Sequence, residues 1–271
     1  MSLKRVASEN LEICERGGYV APSGRFVDLR EAVDRAVSGT VLYEPGELDL
    51  VALPGGATTR IELTDESTGE AGRRLVVDEE VTGVAALNFA SARNPGGGFL
   101  GGAKSQEEDL ARASALYPCL ITQRAYYEAN RHTTSFTYTD HVIYSPDVPF
   151  FRDERWQLVE EPWALSVVTA PAPNAGEAKR HGENGRRVHE ALVRRAAIVL
   201  RVLASQGHRT ILLGAWGCGV FRNDPRAVAE AFAEGLDGFA KGAFERVVFA
   251  VYERGKNGPN RRAFEEVFGV K

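Results

Sequence analysis

The chain has 271 residues, 44% of them hydrophobic and 26% charged, and a net charge of −4. That composition fits an ordinary globular chain with a large core of its own, and the acidic balance argues against the basic face that binds duplex nucleic acid. Three scattered cysteines (Cys14, Cys119, Cys218) form no CxxC pair, and the five histidines show no metal-ligand spacing. The expectation is therefore a reduced, cytoplasmic protein with no metal and no cofactor. The N-terminus lacks a signal-peptide core, and no run approaches the ~18 apolar residues of a membrane span.

In chain order, residues 2–16 pattern as an amphipathic helix stopped by Gly17-Gly18. A hairpin follows around Tyr19–Val27, then a short helix from Asp28, then strands at Thr40–Tyr43 and Arg60–Thr64 and a helix from Ser67. From about Val81 the texture changes to apolar strands alternating with helices. Strands are expected at Val84–Phe89, His141–Tyr144, Trp163–Ala170, Thr210–Gly214 and Arg246–Tyr252. Helices are expected at Gln106–Ala113, at Ser114–Asn130 with an interruption near Pro118, at Val188–Ser205, after Asp224-Pro225, and at Asn260–Phe268. Pro146–Arg155 reads as an irregular loop. The fold class is α/β, a mixed sheet sandwiched between helices, with residues 1–80 as a mainly helical N-terminal extension packed on a core of residues 81–271. In such sheets ligands bind beyond the carboxyl ends of the strands.

One loop stands out. Asn94-Pro95-Gly96-Gly97-Gly98-Phe99-Leu100-Gly101-Gly102 places five glycines in seven positions and leads to Ser105-Gln106-Glu107-Glu108. Ser-x-x-Glu is a capping box, in which Glu108 would only reach back to the helix start. So many glycines, however, suit a backbone that must come close to a ligand. A second strand-to-helix loop, Gly214 to Phe221, has the composition of an anion cradle. The first loop also fits GxGxxG at Gly96, Gly98 and Gly101, which suggests a nicotinamide-dependent oxidoreductase. It is too long for that tight turn, and Cys119-Leu120-Ile121-Thr122 stands where the acidic ribose ligand belongs.

Gly96-Gly97-Gly98, a seven-residue spacer and Gln106-Glu107-Glu108 resemble the GGG…QEE signature of poly(ADP-ribose) glycohydrolases. Gly217-Cys218-Gly219-Val220-Phe221 resembles the diphosphate loop of the same family and of macrodomains. The resemblance covers residues 81–255, and the N-terminal segment is similar to that of the compact bacterial form. It implies a macrodomain-like fold and hydrolysis of ribose–ribose O-glycosidic bonds in poly(ADP-ribose), with ADP-ribose as product and ADP-ribosylated proteins as partners in a DNA-damage response. A monomer is expected.

The resemblance implies Glu108 as the acid/base and Glu107 as the clamp on the ribose hydroxyls. Gln106, Gly96, Gly97 and Gly98 would close on the terminal ribose and phosphate. Gly217, Cys218, Gly219, Val220 and Phe221 would wrap the diphosphate. Asn88 and Asn94 are candidates for ribose contacts, and Tyr252 for stacking on adenine, with an ordinary buried aromatic as the competing reading. Animal enzymes carry an asparagine where this chain has Ala215, so that contact does not transfer. Adjacent glutamates point apart, so Glu108 must both protonate the leaving oxygen and activate water. The competing reading is a macrodomain that binds ADP-ribose without cleaving the polymer. Arg186-Arg187 and Arg194-Arg195 read as solvated helix charges, and Cys218 as a small residue rather than a nucleophile.

Overall fold

Five apolar strands between residues 84 and 250 lie side by side, and two strands from residues 41–64 close the edges. The computed structural model describes residues 2–49, 51–253, 255 and 258–270. Helix α1 (Leu3–Arg16) buries Val6, Ala7, Asn10 and Ile13 and ends at Gly17 in the left-handed conformation. Strands β1 (Gly18–Val20) and β2 (Phe26–Asp28) form a small antiparallel pair. Helix α2 (Arg30–Ser38) follows, its first amide bonded to the Asp28 carboxylate at 2.9 Å. Then come β3 (Val41–Tyr43), β4 (Arg60–Thr64) and α3 (Thr68–Arg73), whose N-terminus is a complete capping box of Ser67 and Glu70.

From residue 84 onward the chain runs β5 (Val84–Phe89), α4 (Gln106–Ala113), α5 (Leu116–Thr122), α6 (Arg124–His132), β6 (Val142–Arg152), β7 (Leu158–Ala170), α7 (Ala175–Arg180), α8 (Gly185–Ser205), β8 (Thr210–Leu213), α9 (Pro225–Asp237), β9 (Arg246–Ala250) and α10 (Pro259–Phe268). Among the described residues the main sheet has seven strands in the order β3-β6-β7-β5-β8-β9-β4. Strands β7, β5, β8, β9 and β4 are parallel, so their carboxyl ends share one rim; β6 runs antiparallel to β7, and β3 to β6. Residues of α8, α9 and α10, such as Leu192, Phe232 and Phe264, build the core on one face. Ile13, Leu110, Leu116 and Tyr126 belong to the core on the other. Burial on both faces accounts for the nearly continuous apolar run of β5.

Two expectations change. Pro146–Arg155 is not an irregular loop, because β6 continues through it to Arg152 against β7, with Phe150 opposite Trp163. Its prolines are tolerated because β3 covers only Val142–Tyr144 and the register breaks between Ser145 and Val148. The helix expected over 114–130 breaks at Gln123 rather than at Pro118. Pro118 sits in the first turn of α5, where an amide has no partner to lose.

Candidate active site

The first three side chains of α4 each fasten a different part of the preceding loop. Gln106 accepts from Phe89 N at 2.7 Å and donates to Leu87 O at 2.7 Å, which fixes the end of β5. Glu107 accepts from Ser91 N at 2.6 Å and from Asn88 Nδ2 at 3.3 Å. Glu108 Oε1 accepts from Gly98 N at 2.9 Å, in the glycine turn. Its other oxygen takes the Ser105 hydroxyl. The capping box legible in Ser105-x-x-Glu108 therefore does not form, since Ser105 makes no bond to the helix amides. The same pattern at Ser67–Glu70 forms in full. What differs is the glycine turn, which competes for Glu108 and wins it.

Gly97 is required where it stands. Its φ is +59°, and a Cβ there would collide with Glu108 Oε1 and lie 3.1 Å from Glu107 Oε2. The two carboxylates sit at 3% and 7% exposure around that one backbone unit, so almost no solvent reaches them. Burial lifts the Glu107 carboxyl to about 8, against the hydrogen bonds from Ser91 and Asn88 and with a further push from Glu108. Tyr126 and Tyr127 lie within the field of Glu107, and burial raises both phenols. Their hydroxyls have no partner among the described residues, nor has Asn88 Oδ1, which is fully buried beside Glu107.

The second loop meets the first at the same rim. Ala170 O, at the end of β7, accepts from Ala90 N at 3.3 Å and from Trp216 Nε1 at 3.1 Å, so one carbonyl ties both loops. Trp216 is fully buried. Gly217 has φ +72°, and a Cβ would lie 2.5 Å from Ala172 Cβ. Asn223 holds the turn through Pro173 O at 2.8 Å and Gly217 O at 3.2 Å. Among the described residues the amides of Gly217, Gly219, Val220 and Phe221 donate to no protein acceptor. Open amides on so tight a turn form a concavity for an anion. Val220 stands at the tip, 85% exposed. Burial pushes the Cys218 thiol up to about 12, which fits a small packing residue and not a nucleophile. Tyr252, two residues past β9, is 65% exposed on the same rim, so the reading as a buried aromatic fails.

A third segment, residues 133–140 between α6 and β6, spans the two loops. Tyr138 packs on Phe221 with ring centroids 6.0 Å apart, and the Arg93 guanidinium lies 5.9 Å from the centre of the same ring. Tyr138 adopts φ +61°, which is costly for an aromatic residue and has to be imposed by its surroundings. Arg195 imposes it. This guanidinium is fully buried and donates to Pro171 O at 2.7 Å, Thr137 O at 2.9 Å and Asp140 Oδ1 at 2.9 Å. Arg194 also pairs with Asp140, at 2.5 Å. The solvated-charge reading is thus wrong for Arg195. Arg186 fits it, paired with Glu190 on the exposed side of α8. Glu183, in a stretch that patterns only as flexible, accepts from Phe136 N at 2.7 Å and anchors the segment's start.

The chain as a whole is similar to known proteins. The family model of the microbial-type PARG (poly(ADP-ribose) glycohydrolase) catalytic domain matches residues 7–153. The structure of poly(ADP-ribose) glycohydrolase from Thermomonospora curvata superimposes with a TM-score of 0.91 at 45% identity, covering 98% of this chain and 99% of that one. The chain belongs to the microbial-type poly(ADP-ribose) glycohydrolase family. The T. curvata glycohydrolase bound to the inhibitor ADP-HPD matches with a TM-score of 0.90 at 46% identity, over 97% of this chain and 98% of that one. The Deinococcus radiodurans glycohydrolase in complex with ADP-ribose matches with a TM-score of 0.83 at 46% identity, over 89% of this chain and 98% of that one. No curated protein matches.

For a glycohydrolase the volume that matters is the rim cleft, although a sizeable concavity lies elsewhere. A cleft of about 760 Å³ runs along edge strand β4, lined by Arg60, Glu62, Glu66, Arg74, Glu79 and Arg246 among others. Its charges are occupied with one another, Arg74 with Glu66 at 2.8 Å and Arg246 with Glu62 at 2.8 Å. The residues at this rim that sequence patterning missed are Arg93, Ser91, Tyr138 and Arg195. Tyr138 and Arg195 lie in segments without glycine motifs, far in sequence from Glu108. Only the aromatic in the Thr/Ser-rich run 133–140 offered a signal.

Proposed function

We propose that this glycohydrolase releases ADP-ribose from poly(ADP-ribose) by using Glu108 as both acid and base. Glu108 gives its proton to the leaving 2′-oxygen as the anomeric C–O bond breaks. It then takes a proton from the water that adds to the anomeric carbon of the oxocarbenium-like centre. Glu107, buried and with its carboxyl lifted to about 8, stays largely neutral near pH 7 and holds the ribose hydroxyls together with Asn88, whose buried Oδ1 awaits a donor. The open amides from Gly217 to Phe221 take the diphosphate of the released unit. Asn94 and Tyr252, exposed on the same rim, are assigned to ribose and adenine contacts. The enzyme acts as a cytoplasmic monomer on ADP-ribosylated proteins.

One observation carries the assignment: the two glutamates share no partner. Glu107 faces Ser91 and Asn88, and Glu108 faces Gly98 and Ser105. Glu108 Oε1 lies against the Gly97–Gly98 turn, and we assign both proton transfers to it. Glu108→Gln should bind ADP-ribose as tightly as the parent and lose polymer turnover by roughly 10²–10⁴-fold, the contribution of a positioned acid/base. Near-normal release of ADP-ribose by that variant defeats the assignment. A parent enzyme that binds polymer without releasing ADP-ribose would establish the non-catalytic alternative.

A further inference from the structure

Poly(ADP-ribose) carries a diphosphate on both sides of the bond being cut, and the Gly217–Phe221 amides serve only one of them. We propose that Arg93 and Arg131 form a second anion subsite, which holds the diphosphate of the polymer unit that stays behind. The inference rests on the assignment of the Gly217–Phe221 loop to the released unit.

Most arginines of this acidic chain are paired with carboxylates, as Arg74, Arg195 and Arg246 are. Arg93 and Arg131 are not, for among the described residues neither has a carboxylate oxygen within salt-bridge reach. Both are exposed, and both guanidiniums rest near aromatic rings: Arg93 is 5.9 Å from the Tyr138 centroid and Arg131 is 6.0 Å from that of Tyr127. Arg131 Nε donates to Arg93 O at 2.9 Å, which holds the two residues together. Arg93 makes no side-chain hydrogen bond among the described residues; its amide bonds Ser91 Oγ at 3.3 Å, and Ser91 N holds Glu107. Tyr127 lies within the fields of both Glu107 and Arg131. The pair therefore borders the reaction centre.

The direction follows from the sheet order. The loop after β5 lies between β8 on one side and β7 on the other, and the Gly217–Phe221 amides follow β8. Arg131 comes from α6, which leads into β6 beyond β7. Arg131 thus stands on the β7–β6 side of the β5 loop and the Gly217–Phe221 amides on its β8 side, with Tyr138 between Arg93 and Phe221. Guanidiniums stacked on rings are weakly hydrated and present a planar fork, the geometry that grips phosphate oxygens.

The test uses Arg93→Gln and Arg93→Lys in the full chain, read by steady-state kinetics on poly(ADP-ribose) and by calorimetric binding of free ADP-ribose. R93Q should raise KM for polymer by roughly three- to tenfold and flatten the log–log salt dependence of kcat/KM by about one. R93K should recover most of the loss, and the Kd of ADP-ribose should stay within about twofold of the parent for both. Equal losses for polymer and ADP-ribose would place Arg93 on the released unit and overturn the proposal. An unchanged polymer KM overturns it too. If the parent enzyme itself fails to bind ADP-ribose, the underlying assignment of the Gly217–Phe221 loop falls, which is a different result from a silent R93Q.

Discussion

At Gly97 a hydrogen atom stands where any other residue would carry a Cβ carbon. That position lies against the Glu108 carboxylate, and the backbone there is left-handed. Gly97→Ala meets both obstacles together. The methyl group must push Glu108 off the Gly98 amide, or the turn must open. Either movement misplaces the carboxyl assigned as proton donor by the order of an ångström, which should cost about 10²-fold in rate. The strained backbone costs a further 1–3 kcal/mol or so of stability. Turnover on polymer and a urea midpoint measured on the same variant separate the two effects. Normal turnover in G97A would mean that Glu108 is not held by this turn during the reaction.

Helices and strands in this enzyme act by what their ends hold. Helix α4 fixes the loop through Gln106, Glu107 and Glu108, and α1 fixes α4, since Asn10 donates to Arg112 O at 2.9 Å and Ser114 O at 3.0 Å. Helix α8 plays the matching part across the cleft through Arg195. Replacing Arg195 with Met leaves Asp140 with Arg194 alone and the carbonyls of Thr137 and Pro171 without this donor, at about 1–3 kcal/mol for each buried acceptor left unpaired. Arg195→Lys keeps the charge and loses the fork, so it should recover only part of that stability. Where R195K folds, the 133–140 segment loosens, and KM for polymer should rise more than kcat falls. An R195M with parental stability would show that the segment holds itself.

For the molecule as a whole, the buried Glu107 couples stability to pH. Its carboxyl is lifted to about 8 in the folded chain and returns to the ordinary value of 4.5 on unfolding. Between those values the folded state binds the extra proton, so stability falls as pH rises and levels off above pH 8. The contribution is on the order of a few kcal/mol. Glu107→Gln removes the titration, so its melting temperature should gain on that of the parent between pH 5 and pH 9. A difference that does not change over that range would mean that Glu107 is already ionised in the fold.

Local patterning disclosed the parts whose causes are local. The apolar runs of β5, β7, β8 and β9, the start of α9 at Asp224-Pro225, and the glycine turn leading to Gln106-Glu107-Glu108 are each written in one short stretch of chain. A fully buried strand advertises itself by composition, and a close backbone approach advertises itself by glycine. The continuation of β6 past Pro146 was not legible, because what permits it is the short reach of β3, a strand a hundred residues earlier. Ser105 and Ser67 begin the same four-residue motif, and only the fold sends Glu108 to Gly98 and leaves Glu70 on its own helix. Arg195 looks like its solvated neighbours until the 137–140 segment closes over it. By itself, then, the sequence pointed to the family and to most of the elements, both written in short-range spacing. Tertiary structure decided which partner each polar group holds, because burial makes every unpaired donor costly and the available partners come from distant parts of the chain.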